Sequence, residues 1–224
     1  DQFCFSMDSV ILAHYVNIRA KDRIVDLGTG TGVIALLLSA LGARHITALE
    51  INPVMAELAK RNVEGNHRED YIQVIHCDYT KANALFPSGH FQSVVVNPPY
   101  REVGTGNTNS EPGKALACHE LGASLRDVFQ AAQYLLAYGG RLTMVHRADR
   151  LGDLIAIGRE YHMEVKRLRL VHARPGHTAS RVLLEWRYGG HPEVTVDPPL
   201  FLHNPDGSYT EEVLAIYGKG KQNE

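Results

Sequence analysis

Arg23-Ile24-Val25-Asp26-Leu27-Gly28-Thr29-Gly30-Thr31-Gly32 is followed by Val33, Ile34, Leu36, Leu37, Leu38 and Leu41. A short apolar run, a glycine-rich turn and a helical apolar pattern make a strand-loop-helix unit whose backbone N–H groups approach a ligand. Glycine serves where any Cβ would block that approach. The glycines stand at 28, 30 and 32, a GxGxG spacing after an acidic residue and not the GxGxxG of dinucleotide sites. Taken alone that spacing is a weak signal.

The strands that follow strengthen it. His45-Ile46-Thr47-Ala48-Leu49 ends in Glu50, about 20 residues past the first glycine, where an acidic side chain takes two ribose hydroxyls and repels a 2′-phosphate. Pro53 opens a helix with Val54, Ala56, Leu58, Ala59 and Val63 as its packing face. Tyr71 to His76 forms a third strand ending in Cys77-Asp78, which makes Asp78 a candidate acceptor for an adenine amino group. A fourth apolar run, Phe91 with Val94, Val95 and Val96, leads into Asn97-Pro98-Pro99-Tyr100. Two consecutive prolines cannot donate to a sheet ladder, so the strand stops there. What remains is one amide, backbone carbonyls and one aromatic face, groups that suit a planar amino nitrogen held by its hydrogens and stacked. Singly, Glu50 and Asp78 read first as solvated strand-end carboxylates, and Asn97-Pro98-Pro99 as a turn.

Around this centre the chain reads as one α/β domain, with a leading helix or lid over residues 1–20, a core over 21–188 and an appendage over 189–224. Ser6 or Asp8 caps the first helix, with Ile11, Leu12 and Tyr15 on its apolar face. Residues 101–120 have no apolar periodicity and read as a long mobile loop, with Arg101, Lys114 and His119 placed to meet an anion. A helix is expected from Ser124 to Leu136, terminated by Gly139-Gly140, then a strand over 141–146, and a helix over 151–160 capped by Asp149. Two successive strands, over 164–171 and 181–187, form a closing hairpin. Between Glu164 and Glu185 there is no acid, while Lys166, Arg167, Arg169, Arg174 and Arg181 are basic. This face suits RNA phosphates, or equally a charged edge strand that deters aggregation. A turn at Asn204-Pro205-Asp206-Gly207 precedes a short helix from Thr210 to Tyr217.

Composition narrows the classes. With 224 residues, 44% hydrophobic and 21% charged, the chain can bury a real core. A net charge of −2 argues against a uniformly cationic nucleic-acid binder but leaves room for a local basic patch. No apolar run reaches the roughly 18 residues of a membrane span and no signal-peptide pattern opens the chain, so a cytoplasmic location is expected. The chain opens on Asp1 rather than Met, which leaves a preceding segment to be expected. Cys4, Cys77 and Cys118 lack CxxC spacing, so neither a structural metal nor a disulfide framework is expected.

The ordered set of glycine loop, Glu50, Asp78 and Asn97 resembles the class I S-adenosylmethionine-dependent methyltransferases. That resemblance implies a Rossmann-like, mostly parallel seven-stranded sheet with an antiparallel edge hairpin and helices on both faces. It also implies that Asp26, Gly28, Thr29, Gly30 and Gly32 hold the methionine portion of S-adenosylmethionine, Glu50 with Ile51 the ribose side, and Asp78 the adenine. Asn97-Pro98-Pro99-Tyr100 matches the motif of enzymes that methylate an amino or amide nitrogen. Within that group, Phe3-x-Phe5-Ser6-x-Asp8-Ser9-Val10, Ser180-Arg181-Val182-Leu183-Leu184-Glu185 and the tail from Pro199 to Thr210 are similar to bacterial tRNA adenine-N6 methyltransferases acting on A37 of a valine tRNA. The implied partner is tRNA. Enzymes that methylate a glutamine amide in release factors share Asn-Pro-Pro-Tyr and form the nearest alternative. DNA adenine methyltransferases and an inactive cofactor-binding module in an RNA complex are the others.

Overall fold

The computed structural model describes residues 6–99 and 125–218. Its strands are β1 (Arg23–Leu27), β2 (His45–Glu50), β3 (Ile72–His76), β4 (Phe91–Val96), β5 (Leu136–Arg147), β6 (Met163–His172), β7 (Ala179–Tyr188), β8 (Thr195–Val196) and β9 (Leu200–Phe201). Its helices are α1 (Met7–Tyr15), α2 (Val33–Ala40), α3 (Pro53–Gly65), α4 (Leu125–Leu135), α5 (Leu151–Glu160) and α6 (Glu211–Ile216).

All nine strands join one sheet in the order β3-β2-β1-β4-β5-β7-β6-β8, with β9 also on β6. Strands β1 to β5 are mutually parallel, and β7 runs antiparallel between β5 and β6. The expected mostly parallel α/β sheet with a closing hairpin is present, with nine strands instead of seven. The two extra strands come from the tail, as two-residue pieces paired parallel to β6. Sequence patterning misses them because two residues carry no periodicity.

Successive residues of the central strands are buried almost without a break, because the sheet supports a core on each face. Val25, Leu27, Val94, Val96, Leu184 and Trp186 pack with Phe129 of α4 and Leu154 of α5. Ile24, Val95 and Leu183 face the other way, toward Ile11 and Leu12 of α1, Ile34 and Leu38 of α2, and Val213 of α6. Helices on both faces explain why β4 reads as a nearly unbroken apolar run. The wholly buried indole of Trp186 stands edge-on to Phe129, with ring centroids 5.3 Å apart.

Two local expectations fail. Gly139-Gly140 does not terminate the helix: α4 stops at Leu135, β5 begins at the next residue, and the glycines fall where the β4–β5 register shifts between Phe91 and Ser93. Gly139 takes φ +78°, and a Cβ on Gly140 would meet the Ala137 carbonyl at 2.7 Å, so this pair serves an irregular strand entry. Asp149 does not cap α5, whose N-cap is Arg150; its carboxylate bonds Arg147 instead. Pro53 does open α3, and Asn52 caps it by accepting from the Val54 and Met55 amides.

The sheet order reverses between β1 and β4. Connections from β1 lead outward to β2 and β3, while β4 begins the other half. A crevice forms at the carboxyl ends of strands on either side of such a reversal. Residues 28–32 follow β1 and Asn97 follows β4, so both flank that crevice.

Candidate active site

The glycine loop is fixed by bonds to its neighbours. The Gly28 and Thr29 amides both donate to the Leu49 carbonyl at 2.9 Å. Glu50 then joins loop to turn: Oε2 accepts from the Gly30 amide at 2.7 Å and Oε1 from the Asn52 amide at 2.8 Å. Asn62 of α3 donates to the Thr31 carbonyl at 2.8 Å. Gly28 and Gly30 have φ of +69° and +58°, with open space where a Cβ would stand, whereas a Cβ on Gly32 would press on Ala59 at 3.3 Å. Two glycines thus leave room for a ligand, and the third lets α2 and α3 approach.

Asp26, at the end of β1, is fully buried. Its Oδ2 accepts from the Thr29 hydroxyl at 2.6 Å, while Oδ1 is buried with no hydrogen bond of ordinary geometry among the described residues. Burial pushes this carboxyl up to about 7, with the Thr29 bond pulling down and the Glu50 charge pushing up. An orphaned buried carboxylate oxygen and an open loop fit a cofactor with a cationic amino group better than one with a free phosphate.

Asp78 lies two residues past the end of β3 and caps the 3-10 turn Tyr79–Ala84, its Oδ1 accepting from the Thr80 amide at 3.0 Å and the Thr80 hydroxyl at 2.7 Å. Its Oδ2 stands 4.0 Å from Lys81. The half-buried Ile51 bonds His76 Nε2 through its carbonyl at 2.9 Å, tying the turn after β2 to β3. Beside Asp78 lies a cavity of about 180 Å³ lined by Tyr79, Thr80, Asn83, Asp127, Gln130 and Tyr134, among others. Burial raises the Tyr79 phenol above its ordinary range, and the nearby carboxylates of Asp127, Asp78 and Glu50 raise it further. Tyr79 follows a strand-end acid directly in sequence, a signal that sequence reading passes over.

At the end of β4, Pro98 is buried, Pro99 is exposed, and Asn97 is half-buried. Asn97 Nδ2 donates to the hydroxyl of Ser9 on α1 at 3.2 Å. Ser9 is 88 residues away in sequence, so no local pattern announces that contact. Tyr100, Arg101, Lys114, His119 and the loop expected over 101–120 lie outside the described residues.

The basic hairpin is largely paired inside the chain. Arg167 bonds Asp197 at 3.0 Å, donates to the Tyr15 carbonyl at 2.9 Å and stacks over the Tyr15 ring at 3.8 Å. Arg169 binds Glu212 at 2.7 Å and the Pro198 carbonyl at 2.9 Å. Arg181 holds Asp8 of α1 at 2.9 Å, and Lys166 donates to the His191 carbonyl at 3.2 Å. Arg174 is exposed in the β6–β7 turn. The acids that answer these arginines lie in the tail and in α1, outside the acid-free window of the sequence, and β8 and β9 cover the strand that would otherwise be the sheet's edge.

Residues 6–152 match the family model of the methyltransferase small domain. The chain belongs to that family. Among curated relatives, the tRNA1(Val) (adenine(37)-N6)-methyltransferase of Aeromonas hydrophila is 26% identical over 211 residues, covering 93% of this chain and 86% of the relative. That of Bacteroides thetaiotaomicron is 28% identical, covering 97% of this chain and 84% of the relative. The crystal structure of a predicted O-methyltransferase from Agrobacterium tumefaciens superposes with a TM-score of 0.74 at 27% identity, covering 97% of this chain and 99% of that one. The Rossmann-like methyltransferase fold and the methyltransferase activity expected from the strand-end residues are thereby established.

Proposed function

We propose that this methyltransferase transfers a methyl group from S-adenosylmethionine to N6 of an adenine in tRNA, A37 of a valine tRNA by its likeness to the curated relatives. The observation that carries this reading is the placement of Asn97-Pro98-Pro99 at the end of β4, across the sheet's reversal from the glycine loop. Bound S-adenosylmethionine supplies an electrophilic sulfonium methyl. Asp26 and the loop of Gly28, Thr29, Gly30 and Gly32 serve its methionine portion, Glu50 and Ile51 its ribose side, and Asp78 its adenine. Three carboxylates in one crevice favour a ligand bearing a sulfonium and an ammonium.

An exocyclic adenine nitrogen is a weak nucleophile because its lone pair is shared with the ring. When Asn97 Oδ1 and the Pro98 carbonyl each accept one amino hydrogen, the nitrogen is drawn toward tetrahedral geometry and its lone pair leaves the ring plane. The residues act by orientation and electrostatics, with no strong base. Tyr100 stacks on the base, a contact worth ~1–3 kcal/mol in single-strand recognition. A loop nucleotide is the economical target, since a stacked base must first be flipped.

The chain acts as a single domain, with residues 1–20 leading, 21–188 as core and 189–224 as an appendage. A tRNA substrate places it in the cytoplasm. Of the five basic hairpin residues, Arg174 is the one the fold leaves exposed for RNA phosphate. Methyl transfer from tritiated cofactor to total tRNA, release factor and DNA, followed by nucleoside digestion, tests the reading. Label in N6-methyladenosine from tRNA is expected. Label confined to protein overturns it in favour of glutamine-amide methylation.

A further inference from the structure

We infer that Ser9 is a positioning residue for the methyl-transfer step: its hydroxyl fixes which face of the Asn97 side-chain amide meets the substrate nitrogen. The inference rests on the reading that Asn97 accepts a hydrogen from the substrate amino group.

An asparagine amide rotates about a broad, roughly two-fold torsion, so its oxygen and nitrogen exchange places at small cost unless a neighbour tells them apart. At Asn97 that choice decides reactivity. With Oδ1 toward the substrate the amide accepts an amino hydrogen; with Nδ2 there, two donors face each other and the nitrogen is not polarised. Ser9 Oγ accepts from Nδ2 at 3.2 Å and so holds the nitrogen on the α1 side. Ser6 Oγ stands 3.4 Å from the same hydroxyl, and a Ser9 proton directed there leaves the Ser9 lone pairs for Asn97.

Such a contact discriminates only if its platform is rigid, and α1 is clamped at both ends. Near its start, Asp8, next to Ser9, holds Arg181 of β7 at 2.9 Å. At its far end Arg167 of β6 grips the Tyr15 carbonyl at 2.9 Å, and Arg141 of β5, itself paired with Asp22, donates to the Asn17 carbonyl at 3.2 Å. Between the clamps, Val10, Ile11, Leu12, Ala13 and Tyr15 are buried against the sheet. Two of the arginines expected on a phosphate face thus hold in place the helix that orients the reacting amide.

Ser9→Ala, Ser9→Cys and Ser9→Thr test this by steady-state kinetics on tRNA and calorimetry with S-adenosylhomocysteine. Alanine is benign near a helix start, and cysteine keeps the volume while being a poor acceptor. Both are expected to lower kcat about 10-fold, the scale of one positioning hydrogen bond, while KM for tRNA and cofactor affinity stay within about two-fold. Threonine, which retains the hydroxyl, should recover most of kcat. Full kcat in the alanine and cysteine variants, or a loss expressed equally in KM and melting temperature and not recovered by threonine, overturns the inference. Substantial turnover by Asn97→Ala alone would instead overturn the role given to Asn97, a failure the single variant reports separately.

Discussion

Replacing Asp26 with asparagine should stabilise the folded chain above neutral pH while weakening cofactor binding. In the fold this carboxyl titrates at about 7 against an ordinary 3.8, mainly because burial disfavours its charge. The folded state therefore keeps a proton that the unfolded chain has released, and stability is lost as pH rises from the lower value to the higher. Each unit of displacement is worth about 1.4 kcal/mol, so the full cost near pH 8 is about 4 kcal/mol, of which about 2 is already incurred at pH 5. Asparagine carries no such charge. Its stability advantage over the parent should thus grow by about 2–3 kcal/mol between about pH 5 and pH 8, whatever constant term its amide contributes. Urea titrations of both proteins at the two pH values measure that double difference, in which titrating groups remote from Asp26 cancel. An advantage that is the same at both would show that Asp26 ionises as freely in the fold as in solution. Binding should carry the complementary signature: a cationic amino group beside Asp26 draws the proton off, so calorimetry near pH 6 in buffers of differing ionisation heat should detect proton release on S-adenosylmethionine binding by the parent and none by the variant.

Asn97→Ala should abolish methyl transfer while S-adenosylhomocysteine affinity stays within about three-fold, since the amide acts on the acceptor nitrogen; calorimetry alongside the tritium assay separates the two. Glu50→Gln places an amide NH₂ against either the Gly30 or the Asn52 N–H, whichever way it turns, so cofactor affinity should fall about 10-fold or more; an unchanged isotherm would remove Glu50 from the site. Charge reversal at Arg167 and Arg169 opposes like charges at Asp197 and Glu212; a lower melting temperature is expected, with tail amides exchanging faster, and an unchanged exchange pattern would mean the tail is held by packing alone. Gly158→Ala sets a Cβ 2.7 Å from the Trp186 indole nitrogen; overpacking of this kind should cost about 1–3 kcal/mol in chemical denaturation, and an unaltered midpoint would show that α5 shifts freely.

The reading from sequence was strongest where chemistry and strand ends coincide. The runs ending in Asp26, Glu50 and Asn97 are short, apolar and closed by glycine or proline, so their termini were legible and the ligand edge followed from them. The contacts that complete the site join elements far apart in the chain. Nothing around Ser9 announces Asn97, and nothing within 164–185 announces that Asp8, Asp197 and Glu212 answer its arginines. Counting charge within a window overstated the free cationic surface, because ion pairing is set by topology. Gly139-Gly140 failed for a related reason: a glycine pair fits a helix stop and an irregular strand entry equally well until the register against Phe91 is known.

The tail pinned to β6 bears on solubility. Arg167 and Arg169, charges of the kind that keep strand edges from pairing between molecules, are already neutralised by Asp197 and Glu212. The guard over that edge is therefore the tail itself, whose β8 and β9 occupy the ladder positions beside Arg167, Leu168, Val171 and His172. A nick in the connection after β7 that released this segment would take Asp197 and Glu212 with it, uncovering a ten-residue strand that carries Val165, Leu168 and Leu170 and leaving the freed charges of Arg167 and Arg169 as its one remaining guard against intermolecular sheet growth.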